Sequence, residues 1–221
     1  DPVNQRMLQI SKFWRHGVID PDSNISFGEG GAGLFSDGKL GTRIKSLHLP
    51  YVMDRFVRFG APDSTAYLSA PHLGSNRIRG ILQQIVAHLI EHGCQLHYRS
   101  RVERVIWDTA GAPVGVEVVG GRSFHSPHLV LATGHSARDI YQTLYNDGVA
   151  LKAKDFAVGV RVEHSRSLID KIQYQNYADH PKLDAANYRL SYHHKPTDRG
   201  TYSFCMCPGG HILAAATAAG Q

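Results

Sequence analysis

The stretch SNISFGEGGAGLFSDGKLG, residues 23–41, decides how the rest of this chain reads. Six glycines fall between Gly28 and Gly41. Glycine has no Cβ, so such a density leaves backbone N–H groups unobstructed and lets the main chain lie close to an anion or a planar ring. Phe27, Leu34, Phe35 and Leu40 are spaced through the glycines and would anchor the loop to a core, which a mobile surface loop would not need. Ser36 can add a hydroxyl donor and Lys39 a positive charge.

Gly28-Glu29-Gly30-Gly31-Ala32-Gly33 also fits the letters G-x-G-x-x-G, and Asp54 follows about 20 residues later, as a dinucleotide fingerprint would require. A working fingerprint turns from a buried parallel strand directly into a helix whose N-terminus faces the pyrophosphate. Here Ile25-Ser26-Phe27 is at most a short edge strand, and the sequel 34–39 is a poor helix start. The stretch therefore reads as a cofactor-facing wall and not as the fingerprint itself.

Outward from it, apolar positions at Met7, Leu8, Ile10, Phe13 and Trp14 give a helical face over 3–16, stopped by Gly17. A second helix is expected over 51–59, before Gly60 and Pro62. The clearest helix spans 75–92. Ser75 can cap it, Ile78, Ile81, Leu82, Ile85, Val86, Leu89 and Ile90 form one face, and Gly93 ends it. Residues 95–107 and 114–119, separated by Thr109, Gly111 and Pro113, predict a β-hairpin. HLVLAT, residues 128–133, reads as a short buried strand running into Gly134 and a helix capped by Ser136. After Leu151 the pattern becomes strand-like at 156–163, 188–193 and 202–206, around one short helix near Leu168. The order of helix, hairpin, buried strand, glycine turn and helix is that of a layered α/β domain, followed by a β-rich lobe, with a boundary near Ala150.

Composition narrows the function classes. The 24 Lys and Arg against 19 Asp and Glu give a mildly basic chain, but the cations are scattered. If the densest group lies on a strand, Arg99 and Arg101 share one face and Arg104 takes the other. No basic stripe emerges, so nucleic acid is not the expected partner. Three Cys without a disulfide framework suggest a reducing compartment. No apolar run reaches membrane-spanning length and the first ten residues carry no signal core. The expectation is a soluble cytoplasmic protein with no membrane partner. The chain opens without Met and closes on AATAAGQ, so it reads as a fragment.

Two further features bear on chemistry. The strand end at 129–139, LVLATGHSARD, is where α/β sheets bind ligands, although an ordinary strand-to-helix turn has the same pattern. His135 could touch a ligand there or simply be a hydrogen-bonded structural residue. Cys205-Met206-Cys207-Pro208-Gly209-Gly210 offers a C-x-C pair near His193, His194 and His211. Zinc sites usually need a second pair and only Cys94 remains, so no metal is expected and the pair can equally be packed core.

Taken together, residues 23–40, APHLGSNRIRGI at 70–81, LATGHSARD at 131–139, FAVGVRVEH at 156–164 and YSFCMCPGG at 202–210 resemble a bacterial family of FAD-dependent dehydrogenase-like proteins. The resemblance implies a glutathione-reductase-like, Rossmann-like FAD fold, here as an internal fragment lacking the N-terminal fingerprint and the C-terminal segment. It implies a flavoprotein oxidoreductase. It divides the chain into a partial FAD-binding domain at 1–150 and part of a β-rich substrate domain at 151–221. Gly28, Gly30, Gly31, Gly33, Ser36, Asp37, Gly38 and Lys39 would pass along the pyrophosphate and flavin. Val102 would sit where main-chain groups hold the adenine, and Ala132, Thr133 and Gly134 would form the second FAD-contacting turn. Cys205 and Cys207 would face the flavin and, with Lys39, are the candidates for catalysis. The alternatives are a non-enzymatic module without cofactor, and a metal-binding protein using Cys205 and Cys207. No residue pattern names the substrate or the electron donor.

Overall fold

The computed structural model describes residues 1–36, 38, 40, 45–67, 73–204 and 206–220. Asp37, Lys39 and Cys205 lie outside these. The fold mixes helix with small antiparallel sheets, an α/β chain as the sequence pattern implies. It divides into two units, Asp1–Lys154 with the residues from Ala215 onward, and Asp155–Ala214.

In the first unit, helix α1 spans Val3–His16 and stops where Gly17 takes a left-handed φ of 69°, its N–H bonding Phe13 O. This conformation is cheap only without a Cβ. Helix α2, Leu49–Arg58, begins with Pro50 in its first turn, where a missing N–H costs nothing. Helix α3 is Ser75–Glu91. Its Ile81 is buried with Ala61 and Leu73, and Leu40, Phe56, Phe59, Ile78 and Ile85 pack around them. The cap differs from expectation: Gly74 takes the N-cap position and no side chain caps the helix. The apolar face also ends early, with Leu89 and Ile90 in solvent.

Strands β1, Val102–Trp107, and β2, Pro113–Val118, form the expected hairpin. Asp108 closes it by accepting the N–H groups of Ala110 and Ala112 on Oδ1, an Asx turn that favours this residue type. A third strand, β3, Ser123–His125, extends the sheet. Because β1 starts at Val102, Arg99 and Arg101 are not on a strand and the expected sharing of a face does not arise. Each pairs separately, Arg99 with Asp1, Arg101 with Asp22 and Asp139, and Arg104 with Glu117 across the hairpin. Helix α4, Arg138–Asn146, covers β1. Ala137, Ile140 and Leu144 are buried, with Phe27, Val102, Val105, Trp107 and Val149 packed against them.

The largest departure concerns 128–133. These residues form no strand, and Val130 is 92% exposed. Ser136 does not cap α4 with its side chain either, and Ala137 holds the N-cap position. A buried strand needs a ladder partner on each side, and none of the described residues supplies one to 128–133. The apolar letters record what the segment would bury, not what pairs with it. Ile25-Ser26-Phe27 likewise forms no strand. Its place is set by Asn24, whose Oδ1 accepts the N–H groups of Ser26 and Phe27.

The second unit contains helix α5, Arg166–Tyr174, capped by the Ser165 hydroxyl accepting Leu168 N–H. Its only described sheet is the hairpin of β4, Ser191–His194, and β5, Arg199–Tyr202. Both strands are shifted from the expected 188–193 and 202–206. Residues 156–163 again form no strand, with Val160 91% exposed. The unit is therefore less β-rich than its sequence pattern suggests, for the same reason as 128–133. Its best-buried polar contact is Asp170, which accepts Ala186 N–H at 2.7 Å and Arg166 Nε at 3.1 Å.

Candidate functional site

The glycine-rich stretch is built on a residue that the sequence pattern passes over. Arg6 lies on the inner face of α1 with Val3 and Ile10 and is 0% exposed. Its guanidinium donates to Asn24 O from Nε and Nη2, at 3.0 and 2.8 Å, to Ile25 O at 2.7 Å and to Glu29 O at 2.6 Å. Burial lowers its pKa to about 10, against the opposing pull of Glu29. The planar fork suits this role because it can satisfy several carbonyls at once. Glu29 completes the knot: its carboxylate accepts Val3 N–H at 2.8 Å and the Tyr98 hydroxyl. Loss of hydration, then the Glu29 hydrogen bond and charge, push the Tyr98 phenol up to about 12. The available signal was spacing, since positions 3, 6 and 10 share one helical face.

Beyond this knot the chain makes a short 3₁₀ turn, Ala32–Phe35, with Leu34 buried. The Phe35 ring lies 4.8 Å from the Arg6 guanidinium and edge-on to Trp14. Ser36 Oγ donates to Gly33 O at 2.8 Å and accepts Gly38 N–H at 3.1 Å. Gly38 O in turn accepts Leu73 N–H just before α3. Phe27 at one end packs in the Ala137 cluster and Leu40 at the other in the Ile81 cluster. The loop is thus tied down at both ends.

The glycines divide by cause. A Cβ on Gly28 would meet Arg6 Cδ at 2.7 Å, on Gly30 it would meet Leu82 Cδ2 at 2.6 Å, and on Gly38 it would press on Leu73 and Gly74 at 3.0 Å. All three also have positive φ, so fold geometry accounts for them. Gly31 has φ of 56° but open space around it. Gly33 has neither a positive φ nor an atom within 4 Å of its would-be Cβ. Fold geometry gives Gly33 no reason to be glycine, whereas a close-lying ligand would. Gly30 is exposed and donates to no acceptor among the described residues.

Val102 begins β1 and packs in the cluster that holds Phe27 and Ala137. Phe27 adjoins Gly28, and Ala137 follows Gly134 by three positions. Val102 thus shares one apolar cluster with a sequence neighbour of each of the other two blocks of expected contacts. Ala132, Thr133 and Gly134 themselves are exposed, and Gly134 has φ of 79° with nothing near it. These open glycine surfaces fit a flat, phosphate-bearing cofactor. An open depression of 430 Å³ lies elsewhere, along α1 beside Gln5, Lys12, Arg15 and Arg99. Cys207 and His135 are exposed. His193 pairs with Asp198 at 3.0 Å, His194 meets Thr197 at 2.7 Å, and His211 faces Glu163 at 4.0 Å. Among the described residues, these histidines join no cluster of metal-ligating side chains with Cys207.

Comparison with known proteins bears on the cofactor. Residues 155–221 match a family model described as FAD-dependent protein, C-terminal domain-like. The whole chain is 42% identical, over 221 residues, to an uncharacterized protein of Clostridium beijerinckii (strain ATCC 51743 / NCIMB 8052). The chain spans 41% of the length of that relative. No helix of the described residues is long and apolar enough to cross a membrane.

Proposed function

We propose that this chain works as part of a longer FAD-dependent oxidoreductase, and that the open side of 30–33, together with 132–134, forms one wall of its flavin site. The observation that carries the reading is the match of 155–221 to the FAD-dependent family. The convergence of Phe27, Val102 and Ala137 on one cluster supports the placement of the wall. Bound FAD would supply the acceptor of hydride or electrons at its isoalloxazine ring. The chain's own residues would position it. Gly31 and Gly33 allow close approach, Gly30 N–H offers a hydrogen bond, and the Arg6 knot holds the loop in shape without touching the cofactor. Lys39 is proposed to set a positive charge beside the ring, and Cys205 and Cys207 to face it from the substrate side. The 151–221 region would be the substrate lobe, working in the cytoplasm on a small molecule.

Oxidoreductase activity is tested by anaerobic reduction. A polypeptide that carries this chain and matches the relative in length is mixed with a panel of hydride and electron donors, and flavin absorbance is followed. Bleaching by at least one donor and recovery in air is the expected result. A protein that holds FAD yet is bleached by no donor would argue for a non-catalytic flavin module. A second reading, a scaffold without cofactor, is favoured for the isolated chain by the apolar surface at 128–133 and 156–162. Equilibrium dialysis of the 221-residue chain with FAD is expected to give weak or no binding, and micromolar or tighter binding would overturn that expectation.

A further inference from the structure

The last turn of α3 and its C-cap read His88-Leu89-Ile90-Glu91-His92. His88 and His92 are four residues apart, so their side chains stand one above the other on a single face, with Glu91 beside them. One ligand atom from each of the three lies within 4.8 Å of the other two. The imidazole rings are 4.1 Å apart between centroids and tilted by 51°. Phe59 packs on His88 at 5.3 Å and holds that ring half-buried, while Glu91 and His92 face solvent.

His92 Nδ1 lies 2.8 Å from the carbonyl oxygen of His88. A carbonyl only accepts, so Nδ1 carries the hydrogen, which in the neutral ring leaves the lone pair on Nε2. This is the outer-shell arrangement by which a backbone carbonyl fixes the tautomer of a metal-ligating histidine. The turn is also the C-terminal end of a 17-residue helix, where the carbonyl dipoles favour a cation.

We propose that the C-terminal turn of α3 is a binding site for a divalent transition-metal ion of the zinc class, held by His88, Glu91 and His92. Two imidazoles and a carboxylate are the donor set that suits such ions and leaves magnesium and calcium poorly served. Zinc takes nitrogen and carboxylate oxygen at about 2.0–2.2 Å, so small side-chain rotations would bring the three donors onto one ion. No fourth His, Cys, Asp or Glu among the described residues joins the set. Solvent or a ligand would complete the coordination.

The H-x-x-E-H order also occurs in metalloproteases where the glutamate acts as base. Here the carboxylate falls within the donor group itself, so the proposed role is binding. The site is independent of the flavin reading, because it uses one end of one helix.

Isothermal titration of the 221-residue chain with zinc chloride tests the proposal, with thermal unfolding in excess zinc as a second readout, since an ion bound only to the folded state raises Tm. To remove thiol sites, the measurement is made on the Cys94→Ser/Cys205→Ser/Cys207→Ser background. The expected result is one zinc per chain, affinity reduced at least tenfold in His88→Gln and in His92→Gln, and a zinc-dependent rise in Tm that both changes abolish. Far-UV circular dichroism is expected to be unchanged, because His92 is exposed, His88 is only half-buried and glutamine is a good helix former. No zinc binding by the folded parent, or binding unchanged in the His88→Gln/His92→Gln double variant, would overturn it.

Discussion

A buried arginine is costly unless its nitrogens find acceptors, and each of the three nitrogens of Arg6 donates to a backbone carbonyl. Those carbonyls belong to the segment that leads into the glycines, so one side chain of α1 sets the path of the loop. Arg6→Met removes the donors and leaves Asn24 and Ile25 carbonyls unsatisfied. It is expected to cost about 3 kcal/mol in denaturant unfolding. Gly28→Ala attacks the same knot from the other side, combining a φ of +109° with the contact on Arg6, and is expected to cost about 2 kcal/mol. Tyr98 reports on the knot through pH. Its raised pKa means that its contribution to stability is complete below pH 10 and is lost as pH rises through about 12. Glu29→Ala should shift the phenol titration, followed by ultraviolet absorbance, back toward 10. A phenol still titrating near 12 would place the cause wholly in its burial. The glycines could be read from the sequence as a shaped surface. Arg6 could not be read as its support, because charge at a helix position normally signals solvent.

Helix α3 and the β1–β2 hairpin, whose hydrogen-bond partners are local, were legible, whereas β3 was passed over and the local β4–β5 hairpin was read out of place. The repeat of Ile78, Ile81, Leu82, Ile85 and Val86 specifies α3, since a helix makes its own hydrogen bonds and needs only one face covered. The β1–β2 hairpin follows from a short turn. Ile81, 2% exposed, carries the α3 contact, and Ile81→Ala should cost about 3 kcal/mol. Gly80 is the converse case. It lies inside α3 with nothing within 4 Å of a would-be Cβ, so Gly80→Ala should stabilise the chain by about 0.5–1 kcal/mol, read as a rise in Tm. By contrast, 128–133 and 156–163 have strand composition but no described ladder partner. Composition states how much apolar surface a strand must bury and is silent on which chain covers it.

For the molecule as a whole, those two segments and the flavin reading point the same way. Phe156, Val158, Val160 and Val162 alternate along the sequence and are all exposed, a pattern expected where further sheet or a neighbouring lobe lies on top. The chain spans 41% of its Clostridium beijerinckii relative, so most of a protein of that length remains to supply such cover. Backbone amides of 156–162 are expected to exchange rapidly in the 221-residue chain and slowly within a polypeptide as long as the relative. Equal rates would argue against burial of this segment there. The flavin content of that longer polypeptide tests the central claim most directly, compared between the parent and Gly33→Val. Gly33 sits in open space at an ordinary φ, so valine should leave the fold intact. The account predicts a purified protein with stoichiometric FAD, and a folded Gly33→Val variant that has lost most of it. A colourless parent, or a Gly33→Val variant with undiminished flavin, would contradict it.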